Sequence, residues 1–177
     1  MEQEEHFSKM REFSRVDAYL PLQVRIVPAE ERETIKSRTS GQAVSTDALN
    51  LPDLQDKLLN EWIKLLHSKL DAIMNMLVMQ REGFGAMPVI RVNISGGGLG
   101  FFSEERYSTG TIVELKLVLP LIPPVALFVY GEVVKVDVLT DAYWVATKFV
   151  SMDEDVRDEI VKYVFRRQRE ILREQRR

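Results

Sequence analysis

At 177 residues the chain has the length of one domain, ample for a buried core. Its 45% hydrophobic and 29% charged residues are a soluble balance, and a net charge of −3 offers no global basic field to nucleic acid or an anionic membrane, so any anion site must be local. The absence of cysteine excludes disulfides, thiolate nucleophiles and cysteine-built zinc sites, and suits a reducing cytoplasm.

The start, Met1 to Glu5, is acidic and lacks a signal-peptide pattern, and residues 1–10 read as a polar arm. Arg11 and Arg15 follow, four apart with Phe13 between them. Two guanidinium groups on one side of a segment suit an anion or a planar ring; a solvated pair leading into a strand is the plainer reading. Tyr19 to Val27 alternates, with Leu20, Leu22, Val24 and Ile26 on one face, as a half-buried strand requires. Residues 28–50 are polar and read as a connection inside a longer insertion, 28–87.

Residues 51–81 carry apolar side chains at helical spacing, with Asn50 as a candidate cap, Pro52 in the first turn and Gly83 at the stop. With Leu59, Leu66 and Ile73 at heptad position a, Trp62 and Met76 fall at d, and Lys69 is the polar exception there. Ile63, Leu70 and Leu77 fall at e, and Leu58, Leu65, Ala72 and Met79 at g. A face covering a, d, e and g is wider than a two-stranded seam needs, so the helix must bury two flanks. That predicts packing on its own domain and on a partner, or a multi-helix bundle; a core helix within one chain is the alternative.

From residue 88 the pattern is β. Pro88 to Val92 leads through Asn93 and Ser95 into Gly96, Gly97 and Gly98, with Gly100 beyond Leu99. Such a segment predicts a strand ending in a tight turn, which either cradles an anion or merely reverses the chain. Strands are predicted over 111–119, 126–139 (bent or bulged at Gly131) and 143–150. The apolar run Leu117 to Tyr130 is too short and too proline-rich to span a bilayer. Short strands with close turns imply a closed or nearly closed antiparallel barrel. A helix over 151–177 is predicted to start at a capping box, Ser151 with Glu154, and to dock through Val156, Ile160 and Val164. Its basic tail is interrupted by Glu170 and Glu174, which argues against nucleic-acid binding. The two histidines, His6 and His67, pair with no credible nucleophile or carboxylate, so no catalytic or metal residue is assigned.

Taken together, these elements resemble the PilZ family of bacterial cyclic di-GMP receptors. The family's R-x-x-x-R is matched by Arg11 to Arg15, and its [DN]-x-S-x-x-G by Asn93, Ser95 and Gly98. The similarity covers roughly residues 10–27 and 88–170. It implies a single PilZ-like domain, mainly β with α: an antiparallel six-stranded barrel with a C-terminal helix, here carrying a long inserted amphipathic helix. It also implies a cytoplasmic, non-enzymatic receptor without cofactor. Arg11 and Arg15 would meet phosphate and guanine, Asn93 and Ser95 would hydrogen-bond the ligand, and Gly98 would permit close approach. The inserted helix is similar to that of PilZ proteins assembling as dimers or tetramers. An oligomeric scaffold with weak or no nucleotide binding is the alternative, and the downstream protein is open.

Overall fold

Alternation places the strands. The structure, a computed structural model, describes residues 14–41 and 56–176. β1 (Arg15–Ile26) buries Val16, Ala18, Leu20 and Leu22 and turns Arg15, Asp17 and Tyr19 outward. A short 3-10 turn (Ala29–Glu31) and a two-residue strand, β2 (Arg38–Thr39), occupy the long connection. Then come α1 (Lys57–Arg81), β3 (Val89–Ser95), β4 (Gly98–Ser103), β5 (Ile112–Leu119), β6 (Val125–Val138), β7 (Tyr143–Val150) and α2 (Glu154–Glu174).

All pairings are antiparallel, in the order β2-β6-β5-β1-β3-β4-β7, and β6 also pairs with β7. Six strands therefore close into a barrel. Closure rests on the length of β6: its first half meets β5, its second half meets β7, and the register slips between Val133 and Lys135. The bulge thus lies at Val134 rather than Gly131. Gly131 is glycine for another reason, because a Cβ there would lie 2.9 Å from Thr147. Inward side chains from every barrel strand form one core, and α2 seals it with Val156, Ile160, Tyr163 and Val164. Ile26 departs from the predicted face: β1 ends there, Val27 turns inside instead, and its N–H donates to the Ile112 carbonyl at 2.9 Å.

Both α-helices among the described residues start on aspartates. Asp56 Oδ1 accepts from the Leu59 N–H at 3.1 Å and caps α1 at Lys57; Asn50 and Pro52 lie outside the described residues. Ser151 does not cap α2: it sits at φ 49°, two residues ahead of the cap position. Asp153 does so instead, accepting from the Asp155 N–H at 3.2 Å, while Ser37 accepts from the Asp153 N–H at 2.6 Å. Gly83, at φ 79°, then turns the chain after α1 in a left-handed conformation open to glycine.

α1 belongs to the barrel only at its last turn. None of its residues is buried. Just past its end, Glu82 accepts from Arg38 Nη1 at 2.9 Å and from the Ser40 hydroxyl, and its carbonyl accepts from the Lys116 ammonium. Beneath this cluster Phe84 packs edge-on against Phe128 at 5.0 Å, and the Arg38 guanidinium lies 3.9 Å over the Phe128 ring. Five residues of the connection, 36–40, thus touch both helix ends, since Lys36 also pairs with Asp153 at 3.3 Å. Replacing Glu82 with alanine removes two side-chain partners. Because Arg38 is half exposed, the expected cost is only about 0.5–1.5 kcal/mol. Chemical denaturation should show that loss, with faster amide exchange at Gly83 and Phe84 and an unchanged barrel.

Candidate functional site

Residues paired across an antiparallel ladder share a face, so register decides which predicted residues meet. Arg15 pairs with Ser95, and Asp17 with Asn93. Ser95 pairs in turn with Gly98, and Gly98 with Lys148. One outer row of the barrel therefore reads Arg15, Ser95, Gly98, Lys148. The next reads Asp17, Asn93, Gly100, Ala146. Four of the five predicted residues are brought onto neighbouring positions of one surface; Arg11 lies outside the described residues.

Asn93 is half-buried and donates through Nδ2 to Asp17 Oδ1 at 2.9 Å, and Arg91 approaches the other Asp17 oxygen at 3.6 Å. Ser95 is only 2% exposed. Its hydroxyl accepts from the Gly97 N–H at 3.3 Å and donates to the Gly98 carbonyl at 3.3 Å, which holds the glycine hairpin together. Gly98 has a structural reason to be glycine: a Cβ there would stand 2.2 Å from the Thr147 carbonyl oxygen, so the space is taken by β7 backbone. Gly100 is similar, since a Cβ would meet the Trp144 indole at 2.4 Å. Trp144 thus lies over the outer face beside Asn93, braced edge-on by Phe102 at 4.7 Å.

The sequence reading missed Asp17, Lys148 and Trp144. Lys148 is exposed and makes no ion pair among the described residues. Alternation in 143–150 marks its outward side, but only the pairing of β7 with β4 brings it to Ser95.

A separate cleft of about 250 Å³ lies between α2 and β1, lined by Tyr19, Pro120, Tyr163, Arg166, Arg167 and Glu170 among others. It contains none of the predicted residues. Arg166 and Arg167 both pair with Glu170 at 3.3 Å, and burial raises the Tyr163 hydroxyl above its ordinary pKa. It reads as a packing groove of the helix. Among the described residues no cluster of histidine and carboxylate side chains could hold a metal ion, and no helix is long and apolar enough to cross a membrane.

The Asn93–Asp17 bond yields a pH prediction. Asn93→Asp places two carboxylates at that spacing, and their repulsion raises a folded-state carboxyl pKa above its unfolded value of about 4. A raised carboxyl pKa destabilises the fold above it and is relieved as pH falls. With Asp17 exposed and Asn93 half-buried, the variant should lose about 0.5–1 kcal/mol at neutral pH and recover it below about pH 4. Denaturation curves of both proteins across pH check this.

The same architecture occurs in known proteins. No curated protein matches the sequence. Among solved structures the fold is similar to a tetrameric PilZ domain of a pathogenic protein from Xanthomonas campestris, self-assembled through a helical bundle. The two share 16% identity, with 92% of each chain covered and a TM-score of 0.60. The sequence itself matches the model of the PilZ domain over residues 73–166, more than half of its length and the whole run from the last third of α1 to mid-α2. Barrel, sealing helix and sequence agree, and the chain belongs to the PilZ domain family.

Proposed function

We propose that this protein is an oligomeric PilZ-type interaction protein whose copies assemble through α1. PilZ domains are non-catalytic receptor and effector modules, so the role lies in what the chain binds. One observation carries the reading. Ten large apolar side chains of α1 are between 43% and 65% exposed, and the helix buries none of its residues in its own domain. Covering the exposed part of each contributes on the order of 1 kcal/mol, so a bundle of several copies that covers most of this face gains about 10 kcal/mol per chain, comparable to the approximately 4–15 kcal/mol cost of association. The Xanthomonas campestris structure supports the same use of a helix, since that protein self-assembles through a helical bundle.

Because α1 stands outside the core, assembly and folding should separate. Leu66→Glu combined with Ile73→Glu should reduce the mass seen by light scattering to that of one chain. The barrel's thermal midpoint should stay within a few degrees. An unchanged mass would reject assembly through this face.

A second reading, a receptor for cyclic di-GMP, is favoured by the outer row. Arg15 and Lys148 flank the Ser95–Gly98 hairpin, with Asn93 and the Trp144 indole alongside. On this reading Arg11 and Arg15 bind phosphate and the O6/N7 edge of guanine. Asn93 supplies an amide that both donates and accepts, and Ser95 and Gly98 keep the hairpin in shape. The two readings are compatible: an assembled receptor would regulate a partner in motility, biofilm formation or polysaccharide export. Calorimetric titration of cyclic di-GMP should give micromolar or tighter binding. Arg15→Ala should weaken it roughly tenfold to hundredfold, the loss of about 1.5–3 kcal/mol that a charge-assisted bond carries. No heat from the native protein would leave the scaffold reading alone.

A further inference from the structure

We propose that the outer flank of α2 is a docking site for the chain's own N-terminal segment, residues 1–13, which lies outside the described residues. Three observations lead to it.

The first is an apolar stripe that the barrel does not use. α2 docks on the barrel through Val156, Ile160, Tyr163 and Val164, all of them buried. A second row runs along the helix at i, i+4, i+7 and i+11: Val161, Phe165, Gln168 and Leu172. Phe165 and Leu172 in that row are 55% and 52% exposed.

The second is the place where the chain enters. Ser14 directly precedes β1, and its hydroxyl accepts from Gln168 Nε2 at 2.6 Å. Gln168 stands between Phe165 and Leu172 on the second row, so the segment before Ser14 starts from the middle of the stripe. Val161 and Leu172 are about 17 Å apart along the helix. Thirteen residues extend to about 40 Å, so both ends of the row are within reach. A segment tethered at this point meets the stripe at an effective concentration of roughly millimolar, ahead of a free partner.

The third is matching chemistry. Phe7, Met10 and Phe13 recur at every third position, and Glu2, Glu4, Glu5 and Glu12 outweigh Lys9 and Arg11. Beside the apolar row of α2, Arg169, Arg173 and Arg176 follow one another at i, i+4 and i+7. All three are exposed and make no ion pair among the described residues. Arg166 and Arg167, on the opposite flank, are taken up by Glu170. The helix dipole favours cations in a last turn, but it gives no reason for a bare phenylalanine and leucine next to them. An acidic segment with spaced apolar residues satisfies both rows at once. Docked there, it holds Arg11 beside the helix that seals the barrel.

Disulfide trapping tests this because the native chain has no cysteine. Met10→Cys with Leu172→Cys should close an intrachain disulfide about tenfold faster than Met10→Cys with Lys148→Cys. Lys148 is a fair control, since it is exposed and three strand spacings, about 14 Å, from Arg15. Met10→Cys with Phe165→Cys repeats the test in case a cysteine at 172 weakens docking. As a second measurement, removing residues 1–9 should speed amide exchange over 168–174 by about tenfold and leave the barrel strands unchanged. No preference for either α2 position over 148 would overturn the docking site, and so would exchange over 168–174 that ignores the truncation. Covalent dimers as the main product would reject the chain's own segment as the occupant.

Discussion

The apolar stripe of α1 is left exposed among the described residues, and much of the molecule's organisation follows from that. Helices in water draw most of their stability from a packed face. α1 has 25 residues and meets the barrel only at its last turn. The sequence nonetheless keeps leucine, isoleucine, tryptophan or methionine at almost every a, d, e and g position. The junction at Glu82 is correspondingly elaborate: Arg38, Ser40 and Lys116 converge on one residue, over the Phe84–Phe128 pair. A tether that merely linked two strands would need no such fixing. A helix that carries an interface does, because the direction in which it leaves the barrel decides how the barrels stand in an assembly.

The barrel obeys a different constraint, the closeness of its strands around β7. Gly98, Gly100 and Gly131 each occupy a place where a Cβ would collide with Thr147 or Trp144. Thr147 is itself buried and donates to the Leu99 carbonyl at 2.7 Å. The glycine motif therefore has a folding duty independent of any ligand. Ser95 likewise spends its hydroxyl on the hairpin. Arg15, Asn93, Trp144 and Lys148 stand on the outer side of the same surface rather than in the core.

Much of this was legible in the residues. Val113, Leu115, Leu117 and Leu119 alternate and are all fully buried. The stripe Val156, Ile160 and Val164 docks α2 as its spacing predicts. What escaped the sequence depended on neighbours distant in the chain. β4 is hidden in the sequence because its outer face carries only Gly98, Gly100 and the apolar Phe102, so no polar alternation marks it. Asp153 outcompetes Ser151 as the cap because Ser151 takes a left-handed backbone, and the long connection reads as polar filler although Ser37 is buried against α2. Lys148 reaches the candidate site only through the pairing of β7 with β4. The family signature placed Asn93, Ser95 and Gly98 on one strand end, while register was needed to put Arg15 beside them.

Hydrogen exchange of the native protein, followed along α1, tests the central claim most directly. If copies cover this helix, the amides of Lys57 to Leu77 are protected to a degree approaching the barrel strands, and the protection falls as the protein is diluted. Exchange within seconds over 57–77 at every concentration, with the barrel still protected, would contradict it and leave α1 a helix without a partner.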